Sequence, residues 1–178
     1  MTLRTAAILF AALLAIQAWV FGAGVRRWPG LWKTLPRQRV PGILIGAVCL
    51  VWAGNEVQIM LEGDLARLQT VIWWLVPAVL LLAWRFLDFL LVRALGGLVL
   101  LLIPVLLLEA FARHLPLRPA FSALCYVLAL AAMVMVAAPW HYRNLLERAA
   151  TTPRLRTGLA TGLGLSATVM AAVATFAG

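Results

Sequence analysis

Histidine and cysteine each occur only twice in this 178-residue chain, and acidic side chains only six times. Cys49 and Cys125 stand alone in apolar runs with no Cys-x-x-Cys spacing, so neither a redox relay nor a zinc site is indicated. Buried structural thiols are the expectation, and no metal or other cofactor is predicted. Charge of either sign is scarce, at 12% of residues against the ~25% of an average soluble domain.

What is present in excess is apolar. Hydrophobic residues make up 65% of the chain, where about 45–50% is usual. The excess falls into blocks of about 18 to 22 residues separated by short charged segments, the length a helix needs to cross ~30 Å of hydrocarbon. The pattern predicts an all-α polytopic membrane protein. Its single transmembrane domain covers 1–178 as a bundle of six transmembrane helices, at about 5–25, 40–60, 70–91, 94–112, 119–138 and 158–176.

The position of the charge sets an orientation. The first, third and fifth connections hold Arg26, Arg27, Lys33, Arg37, Arg39, Arg85, Arg93, Arg143, Arg148, Arg154 and Arg156. The termini and the even connections hold only Arg4, Arg67, Arg113 and Arg118. Lys and Arg collect on the cytoplasmic side, so the odd connections are predicted to be cytoplasmic and both termini periplasmic, in a bacterial inner membrane. The opening MTLRTAAILFAALLAIQAWVFGAG also has the layout of a signal peptide, which would hold its N-terminus inside. One arginine ahead of that run against five basic residues after it favours the outward N-terminus. The loop that follows, VRRWPGLWKTLPRQRVPG, interleaves Arg26, Arg27, Lys33, Arg37 and Arg39 with Trp28 and Trp32. On a soluble protein such a stretch would face nucleic acid. Between two spans it suits anionic lipid headgroups, with the tryptophans in the interfacial belt, and no nucleic-acid partner is expected.

The fifth connection, PWHYRNLLERAATTPRLRTG, repeats Tyr142, Leu145, Leu146, Ala149 and Ala150 at helical spacing. It predicts a short amphipathic helix in the cytoplasmic interface; a solvated extension of the fifth span is the alternative. In the last run, Gly158, Gly162, Gly164 and Ser166 lie in small-residue rows that let helices approach closely in lipid. They are candidates for a helix-packing or partner face. Ala7, Ala11 and Ala15 make a similar row on the first span, and the leucine-rich fourth span is expected to face lipid over much of its surface.

Charge within an apolar run is a functional candidate by default. Asn55 and Glu56 fall near the outer end of the second span and Glu109 near that of the fourth, where the two carboxylates would share an end with Arg113. Arg85 and Asp88, three apart, would lie on one helix face and form a local ion pair. These five are the candidate intramembrane polar site. No catalytic set accompanies them. His114 and His141 fall at opposite faces, which excludes a haem held by two histidines. Ser166 has no histidine at its depth, and Asp64 and Asp88 are too far apart in depth for an aspartyl pair. EGDLARLQ opens like an alcohol-phosphatidyltransferase signature but lacks its later aspartates.

The sequence Pro139, Tyr142, Arg143, Pro153, Arg156 and Gly158, leading into a glycine-rich span, resembles the YjeT-like small inner-membrane proteins of unknown function over roughly the last 40 residues. That resemblance implies a bacterial inner-membrane accessory protein and assigns no catalytic residue. The expectation is a non-enzymatic subunit or scaffold of a larger membrane assembly, with a membrane-protein partner or a second copy beside it. The alternative is a small-solute transporter or its substrate-binding subunit, since six helices in so short a chain are also similar to the substrate-binding component of energy-coupling-factor vitamin transporters.

Overall fold

The computed structural model describes residues 3–28, 30–61, 69–113 and 118–176, and its regular elements there are all helical. Helix α1 (Leu3–Trp19) runs through a π-helical turn (Val20–Gly24) into α2 (Val25–Arg27). After α3 (Leu31–Thr34) and a 3₁₀ turn (Leu35–Arg37) come α4 (Arg39–Met60), α5 (Gln69–Phe86), α6 (Leu90–Ala112), α7 (Arg118–Ala137), α8 (Pro139–Thr151) and α9 (Pro153–Phe176). Five stretches are long and apolar enough to cross a membrane: Leu3–Arg27, Arg39–Gln58, Leu90–Ala112, Arg118–Ala137 and Pro153–Thr175. Thr70–Phe86 is apolar but shorter. The all-helical class agrees with the sequence pattern, while boundaries move. Helix α6 starts at Leu90, inside the run expected to end at 91, and α9 takes in Arg154 and Arg156 ahead of the expected start at 158.

Local chemistry explains the breaks. Ala138 leaves the helical region (φ −132°, ψ 66°), and Pro139 opens α8 at a position whose N–H would have had no partner. Thr152 is extended, as a residue before proline is biased to be, and Pro153 opens α9. Between α5 and α6 the chain turns through 87–89, with Phe89 in the left-handed region at φ 58°.

Helix α6 is the hub. It packs against α4, α7 and α1, while α9 lies along α1 and α5 lies on α4. Half of α6 is buried, against a third or less of the other span-length helices. The leucine-rich run expected to face lipid over much of its surface is instead the most buried of these helices. Leucine suits hydrocarbon and protein interior equally, so its abundance does not choose between them. Small residues do. A Cβ at Gly96 would stand 2.9 Å from the Ala132 carbonyl oxygen and from Val136 Cγ2, and one at Gly42 would stand 2.7 Å from the Leu91 backbone nitrogen. These two glycines let α7 and α4 close onto α6.

Two clusters make the core. The larger joins Phe10, Leu102, Leu106, Cys125 and Met170; the other joins Val20, Phe21, Val92, Tyr142 and Leu146 near the ends of their helices. Around that second cluster α2 and α3 touch α8, and the 3₁₀ turn touches α6. The Arg37 guanidinium stands 5.9 Å from the Phe89 ring centre. The first, third and fifth connections thus meet at one end of the bundle.

Candidate functional site

An apolar cleft of about 570 Å³ lies among α1, α6, α7, α8 and α9. Both α7 and α9 pack against α8. At 13 residues that helix is ~20 Å long, and it bridges the two helices it connects. Leu14 and Val99 contribute from α1 and α6, Ala131 and Met135 from α7, and Leu163 from α9. The polar groups come almost wholly from α8, where His141, Asn144 and Arg148 line one edge. Their spacing puts them on one stripe of the helix, beside the inward-facing Tyr142, Leu146 and Ala149, which are buried. The expected amphipathic helix is present, with Ala150 exposed rather than on its buried face.

At the inner edge of the cleft the Tyr142 hydroxyl donates to Gln17 Oε1 at 2.5 Å, joining α8 to α1. The Phe21 ring meets the Tyr142 ring edge-on, with centres 5.6 Å apart. Gln17 is only 8% exposed and is the one buried polar residue among those described. The other end of its amide makes no hydrogen bond among the described residues and lies at the cleft wall. Burial pushes the Tyr142 phenol far above its usual range. Arg148, exposed at the rim, has no acidic partner among the described residues.

The residues singled out from sequence are dispersed. Asn55 and Glu56 are exposed on α4, where the Trp52 indole donates to Glu56 at 3.1 Å. Glu109 on α6 pairs with Arg113, the residue that caps the helix, at 3.4 Å. Each carboxylate is thus held along its own helix. Arg85 and Asp88 are exposed and form no ion pair among the described residues. The reason is that α5 ends at Phe86, so the shared helical face does not exist. A Cβ at Gly158, Gly162 or Gly164 would meet nothing within 4 Å, and the Ser166 hydroxyl donates to the Gly162 carbonyl of its own helix. These residues lie off the α1–α9 seam, which closes instead at Gly22, where a Cβ would stand 3.2 Å from Ala160 Cβ.

In the first connection Arg26, Arg27, Trp28, Lys33, Arg37 and Arg39 are all exposed. Trp28 meets Trp19 edge-on at 5.6 Å, and Arg27 stands 5.9 Å from the Trp28 ring centre. The side chain of Trp32, and Asp64, Arg67 and His114, lie outside the described residues. Both cysteines are buried and free, and the Cys49 thiol donates to the Ala94 carbonyl at 3.7 Å.

Sequence reasoning passed over Gln17, His141, Asn144 and Arg148 as site residues. A lone amide inside an apolar run was the available signal for Gln17; for the three on α8 it was their common stripe beside the buried face. Comparison with family models, with curated proteins and with solved structures returned no match.

Proposed function

We propose that the chain is a six-span protein of the bacterial inner membrane, with its odd connections cytoplasmic and both termini periplasmic, and that it is a non-enzymatic accessory subunit of a larger membrane assembly. Five helices of membrane-crossing length support the placement, and the meeting of the basic connections at one end supports the orientation. Helix α5 is the sixth span in this reading, completed by tilt of its neighbours or by local thinning around a short helix. The YjeT-like resemblance of the last residues agrees with an accessory role.

A shallow groove of about 680 Å³ between α1 and α9 carries the subunit reading. Ala11, Ala12 and Ala15 face Ala171 and Thr175 across it. Small residues on two adjacent helices form the kind of surface onto which another transmembrane helix packs, by close backbone approach. The partner face is then the α1–α9 groove, and Gly158 and Gly162 lie beyond its cytoplasmic end. Native mass spectrometry of the protein released from its own membranes in mild detergent tests this. Co-release with a second polypeptide at fixed stoichiometry is expected, and Ala171→Leu is expected to free it. A chain released alone, with or without the substitution, rejects the subunit reading. The cleft beneath α8 favours the second reading, a solute-binding membrane subunit, and a small molecule released with a lone chain would support that instead.

A further inference from the structure

We propose that the cleft between α7 and α9 is a binding site for one anionic amphiphile, its tail in the apolar channel and its headgroup at Arg148, His141 and Asn144. The inference rests on the membrane placement above. The lining divides sharply. Leucine, valine, alanine and methionine side chains make the walls, and the polar groups gather at the α8 edge. The volume is within the ~300–1,000 Å³ of ordinary ligand sites, and α8 bridges the two flanking helices along its polar edge.

Two observations choose the ligand's chemistry. Arg148 brings an unopposed guanidinium to the rim, at the end of the bundle where the basic connections meet. That selects an anionic headgroup, since a guanidinium binds a phosphate or carboxylate by charge-assisted, bidentate hydrogen bonds. Deeper in the site, the Gln17 amide is more than nine-tenths buried with only one end engaged by Tyr142. Its amide nitrogen reaches the cleft surface, where an ester or carboxyl oxygen at the head of an acyl chain would accept a hydrogen bond from it. A wholly apolar occupant makes no use of either group, and a small polar solute leaves the apolar walls wet.

The test uses the delipidated full-length protein in mild detergent, incubated separately with phosphatidylglycerol, phosphatidylcholine and oleate and read by native mass spectrometry. One retained anionic amphiphile per chain is expected, at about tenfold or greater preference over phosphatidylcholine. Arg148→Gln is expected to abolish that preference and Arg148→Lys to keep part of it. Ala131→Trp, which fills the channel from an exposed position on α7, is expected to abolish retention, with thermal melting confirming that each variant is folded. Phosphatidylglycerol retained in preference to oleate identifies a bilayer lipid, and the reverse identifies a free acyl acid; either upholds the site. Equal retention of phosphatidylglycerol and phosphatidylcholine, or unchanged retention in folded Ala131→Trp, means annular lipid only and overturns it. Resistance to carbonate extraction tests the membrane placement separately, so failure of the site and failure of the placement are distinguishable.

Discussion

A glutamine halfway along an apolar run is unfavourable to bury unless its amide finds a partner, and Gln17 finds one in Tyr142, 125 positions further along the chain. Removing the phenol oxygen alone leaves the amide carbonyl buried and unmet. Tyr142→Phe is therefore expected to destabilise the fold by about 1–3 kcal/mol. Gln17→Leu combined with Tyr142→Phe is expected to recover most of that loss, and a thermal-melting double-mutant cycle in detergent measures the coupling. A cycle with no coupling would show that the bond does not hold α8 to α1. The same burial has an alkaline consequence. Folding raises the phenol's pKa, so the native state keeps a proton that the unfolded chain releases near pH ~10. The contribution of Tyr142 to stability is then constant below that pH and is lost as the pH rises past it. Tyr142→Phe is expected to flatten that alkaline fall, and melting profiles from pH 7 to 11 check it. Each residue was visible in the sequence, Gln17 as the polar break in its run and Tyr142 on the apolar stripe of α8. Their pairing was not, because no periodicity relates positions so far apart.

At the scale of elements, glycines decide which helices meet. Gly42 and Gly96 stand where an added methyl would strike the backbone or side chains of the neighbouring helix. Alanine at either position is expected to lower the melting temperature, by an overpacking penalty of about 1–3 kcal/mol. Gly97→Ala and Gly162→Ala, with open space around the new methyl, are expected to leave it unchanged or raise it slightly. If all four behaved alike, the α4–α6 and α6–α7 approaches would not be as close as described. The amphipathic stripe of α8 was legible because its apolar positions recur at helical spacing between two prolines. The Arg85–Asp88 pair failed for a local reason: the left-handed turn at Phe89 starts a new helix and breaks the register that the spacing assumed.

Across the whole molecule, charge is distributed as unevenly as hydrophobicity. Among the described acidic residues, Asp88 and Glu147 lie where the basic connections meet around α8, whereas Glu56 and Glu109 fall toward the other ends of α4 and α6. Under the proposed orientation, Lys33→Cys and Thr152→Cys are expected to react with an impermeant maleimide only after the inner membrane is opened. Ala120→Cys is expected to react from the periplasm, while the native cysteines stay silent because both are buried. The opposite pattern would invert the topology. The sequence by itself determined the helical class, the apolar runs of membrane-crossing length and the grouping of charge by connection, because each of these is a property of consecutive residues. Which run lies at the centre, and which side chains line the cleft, was decided only by the tertiary structure. Leucine is equally at home against lipid and against protein, so α6 became the hub through close approaches at Gly42 and Gly96 that composition does not record. The cleft likewise takes its walls from α1, α6, α7, α8 and α9, which come together only by packing between segments as remote in sequence as Gln17 and Tyr142.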